Sequence, residues 1–323
     1  MAVYTKLSNK DILSLSSDYQ IDKVIKIEGI KKGIENTNYL LKTNKEKFIL
    51  TIFERRVHKK DLPFFMNLMD KLDQKKIICP KPLKNKKGKY LSTIKGKSAC
   101  IVTFLKGKDK AHLDYKNCFD VGKNIAKFHE ATSRIALYRE NSMSVKKLDD
   151  LLSSIKFKSK KKTLDLKSIL HTNLIDIKKQ WPKNLPKGII HGDLFIDNIF
   201  FDKNKFSGFI DFYFSSNDYL MYEIAICINA LCFDKIKNKF LMNNEKIKNL
   251  INGYESVRIL SKKERESINV LCRGAALRYL LTRIYDYFNT PKTALIKIKD
   301  PKEYLQKLIV HNNLNNYKDY YNQ

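Results

Sequence analysis

No run of eighteen apolar residues occurs anywhere in the 323-residue chain, so nothing in it has the length and apolarity of a membrane-spanning helix. The first residues also lack the order of a signal peptide, basic then apolar then small, so no membrane partner or secretion is expected. Cysteine pairs at C-x-x-C spacing are missing as well. The six cysteines (Cys79, Cys100, Cys118, Cys227, Cys232 and Cys272) are scattered, several of them inside apolar runs. They read as small buried hydrophobes in a reducing compartment rather than as disulfides or zinc ligands. The expected location is the cytoplasm.

Arginine is scarce. The formal charge of +29 comes almost wholly from lysine, spread along the chain with its densest run, KFKSKKK, at residues 156–162. Such a field attracts anions. Yet arginine is the better reader of phosphate and base edges, and no basic stripe interleaved with aromatics is present. A lysine-rich solvated surface is the simpler reading, and specific nucleic-acid binding is not expected. With 43% apolar and 11% aromatic residues the chain is far from the composition of disorder. Its length suits one large domain or two lobes, and the sequence leaves the oligomeric state open.

What is there is organised around residues 188–214, GIIHGDLFIDNIFFDKNKFSGFIDFYF. An apolar lead-in brings in His191-Gly192-Asp193, then Asn198 five residues after Asp193, then Asp211 thirteen further on. Between Asn198 and Asp211 lie two apolar runs joined by the polar turn Asp202-Lys203-Asn204-Lys205, which predicts strand, tight turn, strand. A hairpin of that shape sets Asn198, just before one strand, and Asp211, at the end of the other, at the same sheet edge. One such Asp or Asn beside a hairpin is ordinarily a turn residue. Three oxygen-bearing side chains converging on one mouth are what phosphoryl transfer needs: a carboxylate to accept a hydroxyl proton, and a carboxamide and second carboxylate to hold magnesium between phosphates.

HGD-x4-N followed by IDF resembles the aminoglycoside phosphotransferase and choline kinase superfamily, where HGD stands for the HRD of protein kinases. MAVYTKLS, GIKKGIENTNYLL, FILTIFERRV, DLPFFMNLMDKL and RGAALRYLLTRIYDYFNTP narrow the resemblance to its homoserine kinase branch, over nearly the whole chain. The resemblance implies an α+β, protein-kinase-like fold of two lobes: a small antiparallel-sheet lobe at residues 1–106 that binds nucleotide, and a larger, mostly helical lobe at residues 107–323. It implies ATP and Mg2+, homoserine as small-molecule substrate, Asp193 as the catalytic carboxylate, and Asn198 and Asp211 as metal ligands. His191 would brace the loop, and Asp218, read as a helix N-cap, would support it. Glu223 stands where aspartate is commoner. Another small alcohol, of the choline, aminoglycoside or methylthio-sugar type, is the alternative substrate. Cationic substrates need acidic or aromatic partners, and the C-terminal region is short of carboxylates.

Further nucleotide contacts follow from the same resemblance. Gly29 and Gly33 would let a loop close over the ATP phosphates. Thr103-Phe104-Leu105 would be the hinge that reads adenine. Thr51 stands where kinases carry the lysine for the α- and β-phosphates, and Phe64 and Phe65 stand where its glutamate partner would lie; Arg55, Arg56, Lys31 and Lys32 are candidates to replace that lysine. Tyr213 and Arg278 are candidates for substrate binding. Arg273, Arg278 and Arg283 sit five residues apart on one helix and so do not share a face. Surface salt bridges are the plain reading of the three, and a guanidinium gripping an α-carboxylate is the sharper one. His129, closing an amphipathic helix, reads as structural.

Overall fold

The computed structural model describes residues 4–30, 36–54, 57–157, 161–290, 298–314 and 316–321. Gly33, Lys31, Lys32, Arg55 and Arg56 therefore lie outside the described residues. The N-terminal part opens with α1 (Asn9–Asp18), started by a capping box in which Ser8 and Asp11 satisfy each other's backbone amides. Five antiparallel strands follow: β1 (Lys26–Gly29), β2 (Thr37–Lys42), β3 (Lys47–Ile52), β4 (Leu91–Ile94) and β5 (Lys97–Thr103), in the spatial order β1-β2-β3-β5-β4. Between β3 and β4 the chain runs through α2 (Leu62–Gln74).

Alternation along β3 and β5 decides what each sheet face meets. Phe48, Leu50, Ile52, Ala99 and Ile101 join Leu15 of α1 and Tyr19, the residue after it, in one apolar cluster. Phe53, Cys100 and Val102 turn to the other side and merge with Phe65, Met66 and Met69 of α2 in the main core. That second face looks toward the cleft.

The larger lobe contains α3 (Tyr115–Thr132), α4 (Leu148–Ser154) and α5 (Lys161–Gln180), then β6 (Lys187–Ile190), β7 (Ile199–Asp202), β8 (Lys205–Phe209) and β9 (Ser216–Tyr219). After these come α6 (Leu220–Leu231), the hairpin β10 (Phe233–Ile236) and β11 (Lys239–Met242), α7 (Asn244–Glu255), α8 (Lys262–Glu266), α9 (Ile268–Asn289) and α10 (Lys302–Asn312). No described helix is long and apolar enough to cross a membrane, and all six cysteines are buried and unbridged.

Helices α3 and α7 cross at a pair of glycines. A β-carbon on Gly122 would stand 1.9 Å from Leu250 O, and one on Gly253 would stand 2.0 Å from Phe119 O. Both obstacles are backbone, so neither can swing aside. Gly122→Ala is expected to force the helices apart and cost about 3 kcal/mol, the upper range for overpacking; an unchanged denaturant midpoint would contradict this close crossing.

Arg139 spans the lobes. Arg139 Nε donates to Asp61 Oδ2 at the head of α2 (2.9 Å) and Nη1 to Ser215 O (3.0 Å), while the guanidinium lies 5.0 Å from the Phe65 ring centre. Asp61 and Arg139 are both largely buried, so this ion pair is more consequential than an exposed one.

Candidate active site

Local hydrogen bonding turns the apolar end of β6 into a fixed loop. Gly192 adopts φ +78°, and a β-carbon there would meet Phe214 O at 2.9 Å, so the residue between His191 and Asp193 has to be glycine. His191 is fully buried. Its Nε2 lies 2.9 Å from Ile210 O and must donate, which leaves Nδ1 to accept the Asp193 N–H at 3.3 Å. Burial, partly offset by the Ile210 carbonyl, lowers its pKa to about 4. The ring is thus a neutral strut between the Asp193 backbone and the strand leading to Asp211, packed 4.7 Å from Phe212.

The hairpin expected from the sequence is present. Ile199 pairs with Phe209 across β7 and β8, and the ladder extends one step when Ile210 N–H donates to Asn198 O at 3.0 Å. Asp211 follows immediately, so it and Asn198 share one edge. Asn198 Nδ2 donates to Asp193 O (2.8 Å) and lies 3.3 Å from Asp193 Oδ2. With its amide nitrogen committed to Asp193, its Oδ1 is the atom left for a cation. Asp211 is exposed and sits in the left-handed region, φ 64° and ψ 63°, a conformation that aspartate tolerates better than most residues and one that recurs at functional sites.

Two residues to which the sequence reading assigned no role here complete the loop. Glu223 of α6, fully buried, accepts from the His191 N–H through Oε2, and its Oε1 and Oε2 lie 3.2 and 3.3 Å from the Gly192 N. Tyr279 Oη of α9 lies 3.1 Å from Gly192 O and 3.4 Å from Asp193 Oδ1, and donates its single proton to one or the other.

Burial raises the Glu223 carboxyl to about 7 against the pull of those amides and of Arg278. Because the folded value is above the ordinary 4.5, the stability held by this group is full below about pH 4.5 and is lost as pH rises through about 7. Glu223→Gln removes that titration. The melting temperature of the variant should gain on the wild type between pH 5 and pH 8, and a difference constant across that range would contradict this account of Glu223.

Other residues singled out in the sequence lie elsewhere. Asp218 is not an N-cap: it sits in β9, opposite Gly188 of β6, and α6 begins at Leu220 with no side-chain cap. Pairing with β6 wins over the local helix-start pattern. Its oxygens accept from Asn141 Nδ2 (2.6 Å) and the Tyr219 N–H (2.7 Å), so among the described residues Glu223, not Asp218, grips the loop amides. Tyr213 reaches across to Phe53 and Phe65, ring centres 5.0 and 5.7 Å away, and so bridges the lobes.

Thr51 is buried and gives its hydroxyl to Asn38 Oδ1 (2.8 Å). In the segment expected as the hinge, Thr103 N–H donates to Lys81 O (2.9 Å) and Phe104 N–H to Lys47 O (3.2 Å). The Leu105 backbone has no hydrogen bond among the described residues. Gly29 ends β1 opposite Tyr39. His129 is structural, as its place on the helix implied: Nδ1 lies 2.9 Å from Tyr254 Oη.

The fold and loop define a two-lobed phosphotransferase, and sequence comparison agrees: residues 26–258 match the phosphotransferase enzyme family, and the chain belongs to it. Within that class its similarity is to homoserine kinases. It is 41% identical to the homoserine kinase of Rhizobium meliloti over 311 residues, 96% of this chain and 94% of that protein. It is 42% identical to that of Paramagnetospirillum magneticum over 317 residues, 96% of each. Among solved structures it resembles an amicoumacin kinase in complex with AMP-PNP and Ca2+, TM-score 0.71 at 14% identity, over 98% of this chain and 93% of that one. A microcompartment-associated aminopropanol kinase gives TM-score 0.68 at 13% identity over 94% of each chain. These two likenesses concern the fold.

Proposed function

We propose that this chain is an ATP-dependent kinase that phosphorylates the side-chain hydroxyl of L-homoserine to give O-phospho-L-homoserine. The observation that carries the reading is its 41–42% identity to homoserine kinases over 96% of its length. The Asp193–Asn198–Asp211 arrangement agrees with it. Choline, aminoglycoside and methylthio-sugar acceptors are not favoured, since those relatives share the whole chain and not only the catalytic loop.

In this reading Asp193 faces the acceptor hydroxyl, oriented by Tyr279 and Asn198. The hydroxyl oxygen attacks the γ-phosphorus, its proton passes to the Asp193 carboxylate, and the bond from the γ-phosphorus to the β,γ-bridging oxygen breaks to release ADP. The chain contributes mainly position and charge, with no covalent enzyme intermediate. Asn198 Oδ1 and the exposed Asp211 carboxylate fit Mg2+, which characteristically takes one or two protein oxygens and completes its shell with phosphates and water. Bound there, the ion would neutralise charge on the β- and γ-phosphates.

Leu105, whose backbone is uncommitted, is the hinge residue we assign to adenine. Thr51 is too engaged with Asn38 to act for the missing lysine. We place the enzyme in the cytoplasm, in keeping with its six unbridged cysteines.

Magnesium-dependent ADP release, measured with homoserine, serine, threonine, choline and one aminoglycoside, tests the reading. Strong selectivity for homoserine is expected. Equal or greater turnover of choline or the aminoglycoside would discard the substrate and keep the chemistry.

A further inference from the structure

Seven arginines are described, and five of them hold a carboxylate: Arg139 with Asp61, Arg258 with Glu264, Arg265 with Glu255, Arg273 with Asp176 and Arg283 with Glu303. Arg134 is exposed to solvent. Arg278 is the exception. It is 3% exposed, yet its Nε and Nη1 are buried with no hydrogen-bond partner among the described residues. Buried polar atoms are nearly always satisfied, and a guanidinium left idle calls for an explanation.

The surroundings supply one. Tyr222 and Tyr304, whose hydroxyls are also buried without a partner, are both within electrostatic reach of this guanidinium. Asp193 is within its reach too, and Tyr279, the next residue of α9, touches the Asp193 carboxylate. The other nearby acids have their oxygens placed elsewhere: those of Glu223 on the loop amides, those of Asp218 on Asn141 and Tyr219. Charge is therefore close to Arg278, yet its Nε and Nη1 have no hydrogen-bond partner among the described residues. Asp193 is only half-buried, so this neighbourhood reaches solvent at the catalytic loop.

We propose that Arg278, with the hydroxyls of Tyr222 and Tyr304, receives the carboxylate of the substrate while its hydroxyl lies at Asp193. The assignment rests on the homoserine reading and makes Arg278 a specificity-determining residue. Guanidinium and carboxylate pair through two parallel hydrogen bonds, which fixes the far end of a four-carbon hydroxy acid and orients the near end. A site built to pair a buried polar group discriminates steeply against an analogue that lacks it.

The test compares L-homoserine with L-homoserine amide, in which a neutral carboxamide replaces the carboxylate, by kcat/KM on the full chain with saturating ATP and magnesium. The wild type should favour the acid by about a hundredfold. Arg278→Met should bring that ratio to within about threefold of unity by raising KM for the acid, with KM for ATP unchanged, and Arg278→Lys should restore part of the preference. A wild-type ratio near one would overturn the assignment, even if the methionine variant fails to fold. So would a variant that loses acid and amide turnover equally, because Arg278 would then only support the loop and its acids. Absence of homoserine turnover by the wild type, with another acceptor active, would instead remove the reading beneath it.

Discussion

Asp193→Asn is expected to lower turnover about a thousandfold, within the range for loss of a positioned proton acceptor, while ATP still binds. The substitution keeps size and shape, and the contacts that hold residue 193 in place are largely made elsewhere. Its backbone N–H goes to His191 and its backbone carbonyl accepts from Asn198, so the loop should survive. What goes is the charge that, in the proposed mechanism, takes the hydroxyl proton. The amide could still accept from Tyr279, which argues that geometry changes little. Nucleotide titration by calorimetry and turnover by coupled ADP detection separate the two effects. Wild-type turnover in the variant would remove Asp193 from the chemistry.

Asp211→Asn should produce an effect of the same order by a different route. Asparagine is chosen over alanine because residue 211 stands in the left-handed region, where alanine would add strain of about 1–2 kcal/mol and mix folding with catalysis. Asparagine tolerates that backbone and removes only charge. Magnesium held by one neutral oxygen from Asn198 and another from residue 211 would bind weakly. We expect kcat to fall about a thousandfold and the magnesium concentration for half-maximal rate to rise, with the melting temperature close to the wild type's. A loss of kcat with unchanged magnesium dependence would show that Asp211 acts by some means other than the metal.

The site was legible in the sequence to the extent that it is local. Asn198 and Asp211 are set by one hairpin, and two apolar runs with turn residues between them announce that hairpin before any tertiary contact is known. His191 and Asp193 belong to the same stretch. Glu223 and Tyr279 arrive from helices 31 and 87 residues beyond Gly192, and nothing in their own neighbourhoods marks them as loop supports. Asp218 shows the reverse error. Asn217-Asp218 before an apolar run is a sound helix-start pattern, but Ser216–Tyr219 is claimed by β6, a partner that local sequence does not name.

Arginine scarcity held more information than its first use suggested. It argued against base reading, and it also marked the positions where lysine would not serve. In a chain with nine arginines, the five ion-paired ones join elements distant in sequence or close a helix junction, and Arg139 ties the lobes together. The plain expectation of salt bridges holds for Arg273 and Arg283, though both are well buried rather than at the surface. Five-residue spacing on α9 turns each of the three to a different neighbour, and of the three only Arg278 has guanidinium nitrogens left without a hydrogen-bond partner among the described residues. Spacing alone told them apart but could not say which one was unpaired.

The most direct test of the central claim is the identity of the product. Purified protein, L-homoserine, ATP and magnesium, followed by phosphorus NMR, should show one new phosphomonoester resonance whose coupling places phosphate on the γ-carbon oxygen, appearing in step with ADP. ADP accumulating alongside free phosphate alone, or phosphate on the carboxyl group, would contradict the account.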